Sequence, residues 1–206
     1  MSGSAPTIAH GPVLADVLPG TRSRDLILVV LGAGLTCACA QVSIHVPSSP
    51  VPITGQTFAV IVAGASLGGA RGGASQLLYL LLGLVLPVYA GSAEGWHVIS
   101  GPTGGYLIAF PIAACVVGLL AERGSDRHLV SAFVAYVAGQ LIIFGIGVPW
   151  LKASVGLPWS LAIHDGFTIF IVGGLIKATA GGIASPIAWR GVRRRVDRSR
   201  PGSRPT

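Results

Sequence analysis

The 206 residues are 51% hydrophobic and only 10% charged, against roughly 25% charged in soluble domains. With a mean hydropathy of +0.73, this excludes a soluble domain, which would lack the charges to cover its surface, and fits one integral membrane domain solvated mostly by lipid. The net charge of +7 is concentrated at one end, since seven of the 14 basic residues (Arg190, Arg193, Arg194, Arg195, Arg198, Arg200 and Arg204) follow Trp189. Such a cluster beside an apolar run faces anionic lipid headgroups. Basic and aromatic residues do not interleave as nucleic-acid binding requires, so no nucleic-acid partner is expected.

In chain order, residues 1–24 read as a flexible leader. Pro6, Pro12, Asp16 and Pro19 interrupt it, and it lacks the basic start and apolar core of a signal peptide. A hydrocarbon core of about 30 Å needs roughly 20 helical residues. The first span is expected over 25–46, ended by Pro47, Pro50 and Pro52. A shorter second span covers 56–69 and closes at a glycine-rich turn, 68–73, that contains Arg71. The third covers 74–89, the fourth 106–120, and the fifth 129–148, after a charged turn with Glu122, Arg123, Asp126 and Arg127. Apolar residues from Leu161 to Trp189 are too many for one straight crossing. Counting back from Arg190 starts the sixth span near 170–174, leaving 149–172 as a loop with a short amphipathic piece at 159–165. The rival reading starts it at Leu161 and puts Lys177 deeper.

Six spans with both termini cytoplasmic put 12 of the 14 basic residues on the inner side, as the positive-inside rule demands. The chain thus divides into a cytoplasmic leader (1–24), an all-α six-helix membrane domain (25–189) and a basic cytoplasmic tail (190–206). Cys37, Cys39 and Cys115 lie in apolar runs and read as small packing residues. Small residues four apart, such as Gly64 and Gly68, Ala114 and Gly118, or Ala135 and Gly139, let helices approach closely in lipid. On the first span, Gly32, Thr36 and Ala40, or Gly34 and Ala38, are candidates for docking a further membrane subunit.

No sequence feature points to an enzyme. The five His are scattered, so no metal site is indicated, and no nucleotide loop or nucleophile elbow is present. No acidic residue lies within a span, so an ion-coupled transporter would lack its coupling carboxylate. Lys177 is the one cation in an apolar span; it either snorkels to the headgroups or serves a bound solute. Thr54, Gln56 and Thr57 at the second span, Thr103 and Tyr106 at the fourth, and Lys177 all fall toward the outer face. A few polar groups among apolar walls are what a small-molecule site needs. Gly104 and Gly105 are expected to let backbone groups approach the solute there.

The run Gly101-Pro102-Thr103-Gly104-Gly105-Tyr106-Leu107, followed by Phe110, resembles the hallmark of the BioY family, the biotin-specific S components of energy-coupling factor (ECF) transporters. Val51-Pro52-Ile53-Thr54-Gly55-Gln56-Thr57 resembles the family's first outer loop, and 166–180, with Lys177, its last helix. The resemblance covers about 25–189. It implies an S-component fold in the bacterial cytoplasmic membrane, crossing it six times. It also implies biotin as ligand, no cofactor, and partners in a transmembrane coupling protein and two cytoplasmic ATPases, met through the first helix. Thr54, Gln56, Thr103, Gly104, Gly105, Tyr106 and Lys177 become the candidate substrate-binding residues. One position departs: where the family reads Gly-Asp-x-x-Lys, with the Asp helping to hold the biotin head group, this chain has Gly174. That opens an alternative cargo, a biotin precursor or another small vitamin, and makes Asp165 a candidate substitute for the missing acid.

Overall fold

A computed structural model describes residues 13–17 and 22–198. The elements in order are α1 (Arg22–Ala40), a two-residue strand β1 (Ser43–Ile44), its partner β2 (Ile53–Thr54), α2 (Gln56–Leu67), α3 (Gly69–Leu82), α4 (Trp96–Ser100), α5 (Gly104–Glu122), α6 (Leu129–Val155), α7 (Trp159–Gly166) and α8 (Ile171–Arg198). β1 and β2 pair antiparallel, Ser43 opposite Thr54 and Ile44 opposite Ile53. Four segments are long and apolar enough to cross a membrane: α1, α5, α6 and the run Trp159–Arg190. α2 is apolar but shorter.

The bundle is built around α5, which packs most extensively on α6, α3 and α2. It carries no charge before Glu122, and more than half of its apolar stretch is buried inside the protein. Small residues account for that depth. A Cβ on Gly64 would stand 2.5 Å from the Ala114 carbonyl oxygen, and one on Gly118 would stand 2.3 Å from the Gly68 carbonyl carbon. The pairs Gly64/Gly68 and Ala114/Gly118 therefore meet each other, and the backbones of α2 and α5 touch. In lipid, where apolar side chains gain nothing by leaving solvent, such dispersion contact is the main attraction between helices. On α1, Gly32, Thr36 and Ala40 face inward, while Gly34 and Ala38 are exposed. The Thr36 hydroxyl shares its one proton between the Gly32 carbonyl and Gln76 Oε1 of α3, at 3.2 and 3.1 Å. The outward side of α1 presents Leu26, Ile27, Val30 and Leu31.

Several boundaries differ from expectation, each for a physical reason. α1 stops at Ala40, because the chain turns into the β1–β2 hairpin instead of running on to the prolines. The expected turn at 68–73 shrinks to one residue, Gly68, in a backbone conformation (φ 86°) that side chains disfavour. α3 begins at once because the Glu122 carboxylate accepts the Gly69 N–H at 2.8 Å, a favourable anion at a helix N-terminus. Arg71 is thus helical, and α3 ends at Leu82, well before residue 89. α6 runs through Pro149 to Val155. Beyond the proline, Trp150 donates its indole N–H to the Gly101 carbonyl at 2.9 Å and Leu151 is fully buried, so tertiary contacts hold the turn helical. α7 forms where the amphipathic piece was expected, and α8 begins at Ile171, which excludes a sixth helix continuous from Leu161. Lys177 sits in the second turn of α8.

The leader is not free over its described part. Val13 and Ala15 are buried among Ile61, Leu67 and Ala121. Asp16 accepts the Val13 N–H at 3.0 Å and the Arg71 guanidinium at 2.6 Å, and Arg71 also reaches Asp25 at 3.1 Å. Burial alone would raise the Asp16 carboxyl, but the Val13 N–H and the Arg71 and Arg24 charges outweigh it and hold it below the usual carboxylate range. Residues 13–17 of the leader thus pack on the bundle; its residues 1–12 and 18–21 lie outside the described residues.

Replacing Gly64 or Gly118 by Val should lower the melting temperature in detergent, since overpacking against backbone typically costs about 1–3 kcal/mol. Gly34→Val should leave it unchanged, because nothing lies within 4 Å of its Cβ position. Thermal unfolding of the three variants checks this, and a Gly64→Val protein as stable as wild type would contradict it.

Candidate functional site

One end of the bundle holds a cavity of about 210 Å³. That is far more than the roughly 10–15 Å³ one water needs. Its walls come from the 43–54 hairpin, the 89–103 connection and the starts of α2, α5 and α8, with the middle of α6. Val51, Ile53, Val98, Leu107, Phe110, Phe144 and Phe170 make it largely apolar. The aromatic side is rigid. Phe144 meets Tyr106 and Phe167 edge-on, at centroid separations of 6.3 and 5.2 Å, and Phe170 at 6.0 Å.

Of the residues expected to converge, Thr54, Gln56, Thr57, Thr103, Tyr106 and Lys177 line this one cavity. Most of their hydrogen-bonding capacity is already used. The Thr54 hydroxyl donates to Gln56 Oε1 at 2.8 Å, Gln56 Nε2 donates to the Tyr79 hydroxyl at 2.5 Å, and that hydroxyl donates to the Val88 carbonyl at 3.3 Å. Thr103 donates to the Val98 carbonyl at 3.3 Å, and Tyr106 to the Gly166 carbonyl at 2.9 Å. Lys177 donates to the Thr54 carbonyl and, at 3.1 Å, to the Thr57 hydroxyl. An ammonium has three donors, so one remains. Among the described residues, Lys177 is the only Lys or Arg that lines the cavity, and no Asp or Glu does.

The family model for BioY matches residues 12–194. The chain belongs to the BioY family. Among curated relatives it is similar to the "Probable biotin transporter BioY" of Pyrococcus horikoshii, 43% identical over 158 residues, covering 76% of this chain and 91% of that one. It is 38% identical over 176 residues to the "Biotin transporter BioY" of Thermotoga maritima (85% and 99% covered). With the "Biotin transporter BioY2" of Lactococcus lactis it shares 36% over 165 residues (78% and 87% covered). Its fold matches a crystal structure of the S-component for biotin from an ECF-type ABC transporter with a TM-score of 0.75 at 23% identity, over 84% of this chain and 95% of the other.

Of the BioY run, Thr103, Tyr106 and Leu107 line the cavity, and the two candidate glycines, Gly104 and Gly105, do not. A Cβ on Gly104 would fall 1.6 Å from the Ile99 carbonyl oxygen, and one on Gly105 would fall 2.2 Å from Trp150 Cβ. These glycines admit α4 and α6 to the first turn of α5, so the expected backbone approach to a solute is replaced by packing. Gly174, where the BioY pattern leads to Asp, does line the cavity, and its Cβ direction is open. Asp165 does not substitute. Its carboxylate pairs with His164 Nδ1 at 2.7 Å, its carbonyl accepts the Ser49 hydroxyl at 2.8 Å, and it stays out of the cavity. His45, Phe144, Phe170 and Gln140 also line the cavity, and the sequence reading passed them over. For Gln140 a signal existed: it is the only side-chain amide in the fifth apolar span, and polar groups in spans are functional more often than not.

The hairpin hangs on Lys177 on one side and on the Ser49–Asp165 contact on the other. Lys177→Met should therefore raise amide hydrogen exchange across 43–54 several-fold at fixed pH and leave α5 unchanged. Exchange at the wild-type rate would mean that the Ser49 contact suffices.

Proposed function

We propose that this chain is the biotin-binding S component of an ECF-type transporter, a transport subunit and not an enzyme, and that biotin occupies the cavity at the hairpin end. The observation that carries the reading is the cavity's polarity: one cation with a spare donor, no acid, and apolar walls. Biotin has that shape of charge, a single carboxylate on an alkyl chain with a neutral ring system. The names of the relatives, which cover nearly all of their own length, and the S-component fold support the same ligand. Thr54, Gln56, Thr103, Tyr106 and Lys177 are the contacts on this reading, and Gly104 and Gly105 hold the wall behind them.

The proposal includes six crossings, α1, α2, α3, α5, α6 and α8, with both termini in the cytoplasm. The geometry sorts in its favour. The hairpin, the 83–103 connection and α7 gather at the cavity end, while Asp16, Arg71, Glu122 and Asp126 gather at the other. Biotin would then enter from outside, across the cytoplasmic membrane of the cell. A transmembrane coupling protein and cytoplasmic ATPases supply the energy, and the outward side of α1, with Gly34 and Ala38, is the docking side. Gly174 supports a second reading, a biotin precursor or another small vitamin, because an open wall there accepts a differently substituted ring.

Titration calorimetry of the purified protein should show tight biotin binding; its absence would remove the proposal, and competition with desthiobiotin separates the second reading. Lys177→Ala should weaken binding at least several-fold, and unchanged affinity would reduce Lys177 to a tie for the hairpin. In a cysteine-free background, Ser48→Cys should react with an impermeant maleimide on intact cells and Arg123→Cys only after lysis, both positions being exposed. The reverse pattern would invert the orientation.

A further inference from the structure

We infer that Gln140 reads the neutral polar head of the ligand, pairing its carboxamide with a planar group that offers N–H and C=O side by side, a cyclic urea or amide. The inference rests on the reading of the cavity as the ligand site. It starts from a comparison of two amides that line the same cavity. Gln56 is spent: its oxygen accepts from Thr54 and its nitrogen donates to Tyr79. Gln140 is only 6% exposed, and neither its oxygen nor its nitrogen has a hydrogen-bond partner among the described residues.

An amide buried in an apolar span without partners is costly, and native proteins rarely keep one. The neighbouring α6 residues Ile143 and Phe144 are apolar, and hydrocarbon around the bundle offers no substitute for water. Gln140 is among the residues that line the cavity, the space nearest to its covered amide. Whatever fills the cavity is therefore what satisfies it. A carboxamide presents one acceptor and two donors, so its complement must present both as well. An anionic group would be drawn to Lys177 instead, the cation on α8. The two residues thus divide one molecule between them, its charge at Lys177 and its neutral donor–acceptor edge at Gln140. Sites built to hydrogen-bond a ligand discriminate strongly against analogues lacking the group, because their own polar atoms are then left unpaired.

Gln140→Leu and Gln140→Met remove the amide at similar volume. Each should raise the melting temperature of the ligand-free protein, because an unpaired buried amide is gone. Each should also weaken biotin and desthiobiotin, which share the ureido ring, by at least tenfold in competition with labelled biotin. Diaminobiotin, from which the ureido carbonyl is removed, should lose much less, so the preference for biotin over it collapses. Biotin affinity within twofold of wild type in both variants, or equal losses for all three ligands, would overturn the inference. Wild-type protein that bound no biotin would fail before any substitution is made. That outcome would overturn the site reading, and this inference with it.

Discussion

Contact between the backbones of α2, α3 and α5 is the constraint on which the rest depends. With glycine at 64, 68 and 118 and Ala114 opposite Gly64, three helices share a space that side chains would fill in a soluble bundle. Two of them, at 12 and 14 residues, are roughly 18 and 21 Å long at 1.5 Å per residue, shorter than a hydrocarbon core. On the proposed six-crossing reading they are viable in a membrane because α5 covers them and because the Gly68 break is closed by Glu122 from the end of α5. Shortness has a geometric consequence. Helices that stop early leave room at one end of the bundle. The hairpin, α4 and α7 roof that room without filling it.

Inside that room the hydrogen-bond pattern separates structure from recognition. Thr54, Gln56 and Tyr79 form a closed chain from the hairpin through α2 to α3, and Thr103 and Tyr106 cap neighbouring carbonyls. These groups hold the walls. Water cannot reach a lipid-embedded bundle freely, so polar atoms without internal partners stand out. Lys177 keeps one donor beyond its bonds to Thr54 of the hairpin and Thr57 of α2, and Gln140 keeps its whole amide. Walls that are already satisfied do not need to rearrange when a ligand arrives, so less of the binding energy is lost to ordering.

The all-helical, apolar character and the long apolar helices α1, α5 and α6 were legible because lipid imposes a simple rule, long apolar runs ended by charge or proline. The convergence of Thr54, Gln56, Thr103, Tyr106 and Lys177 was legible through the BioY run and the orientation count together. What failed was the meaning of glycine. Gly104 and Gly105 carry the same letter whether the neighbour is a solute or a tryptophan, and only the position of Trp150, 45 residues on in sequence from Gly105, decides it. Gly68 likewise hid a one-residue break because its partner, Glu122, lies at the far end of another helix. Pro149 misled in the opposite sense: local propensity ends a helix there, and the Trp150–Gly101 bond overrides it.

The walls of the cavity differ in stiffness, and that sets how a ligand can pass. The α5–α6 side is locked by Gly104 and Gly105 against α4 and Trp150, and by the edge-on packing of Tyr106 on Phe144. The hairpin side is two residues per strand, with side-chain ties at Lys177 and at the Ser49–Asp165 contact. Segments with few buried contacts open at the lowest free-energy cost. Passage, on the proposed reading, falls to the hairpin, through the tie at Lys177. On the proposed reading the same ammonium that holds the hairpin also meets the ligand's carboxylate with its third donor. A ligand in place then adds to the closure, since its carboxylate holds the ammonium whose other donors hold the Thr54 carbonyl and the Thr57 hydroxyl. Release requires that this shared contact be broken from outside the bundle.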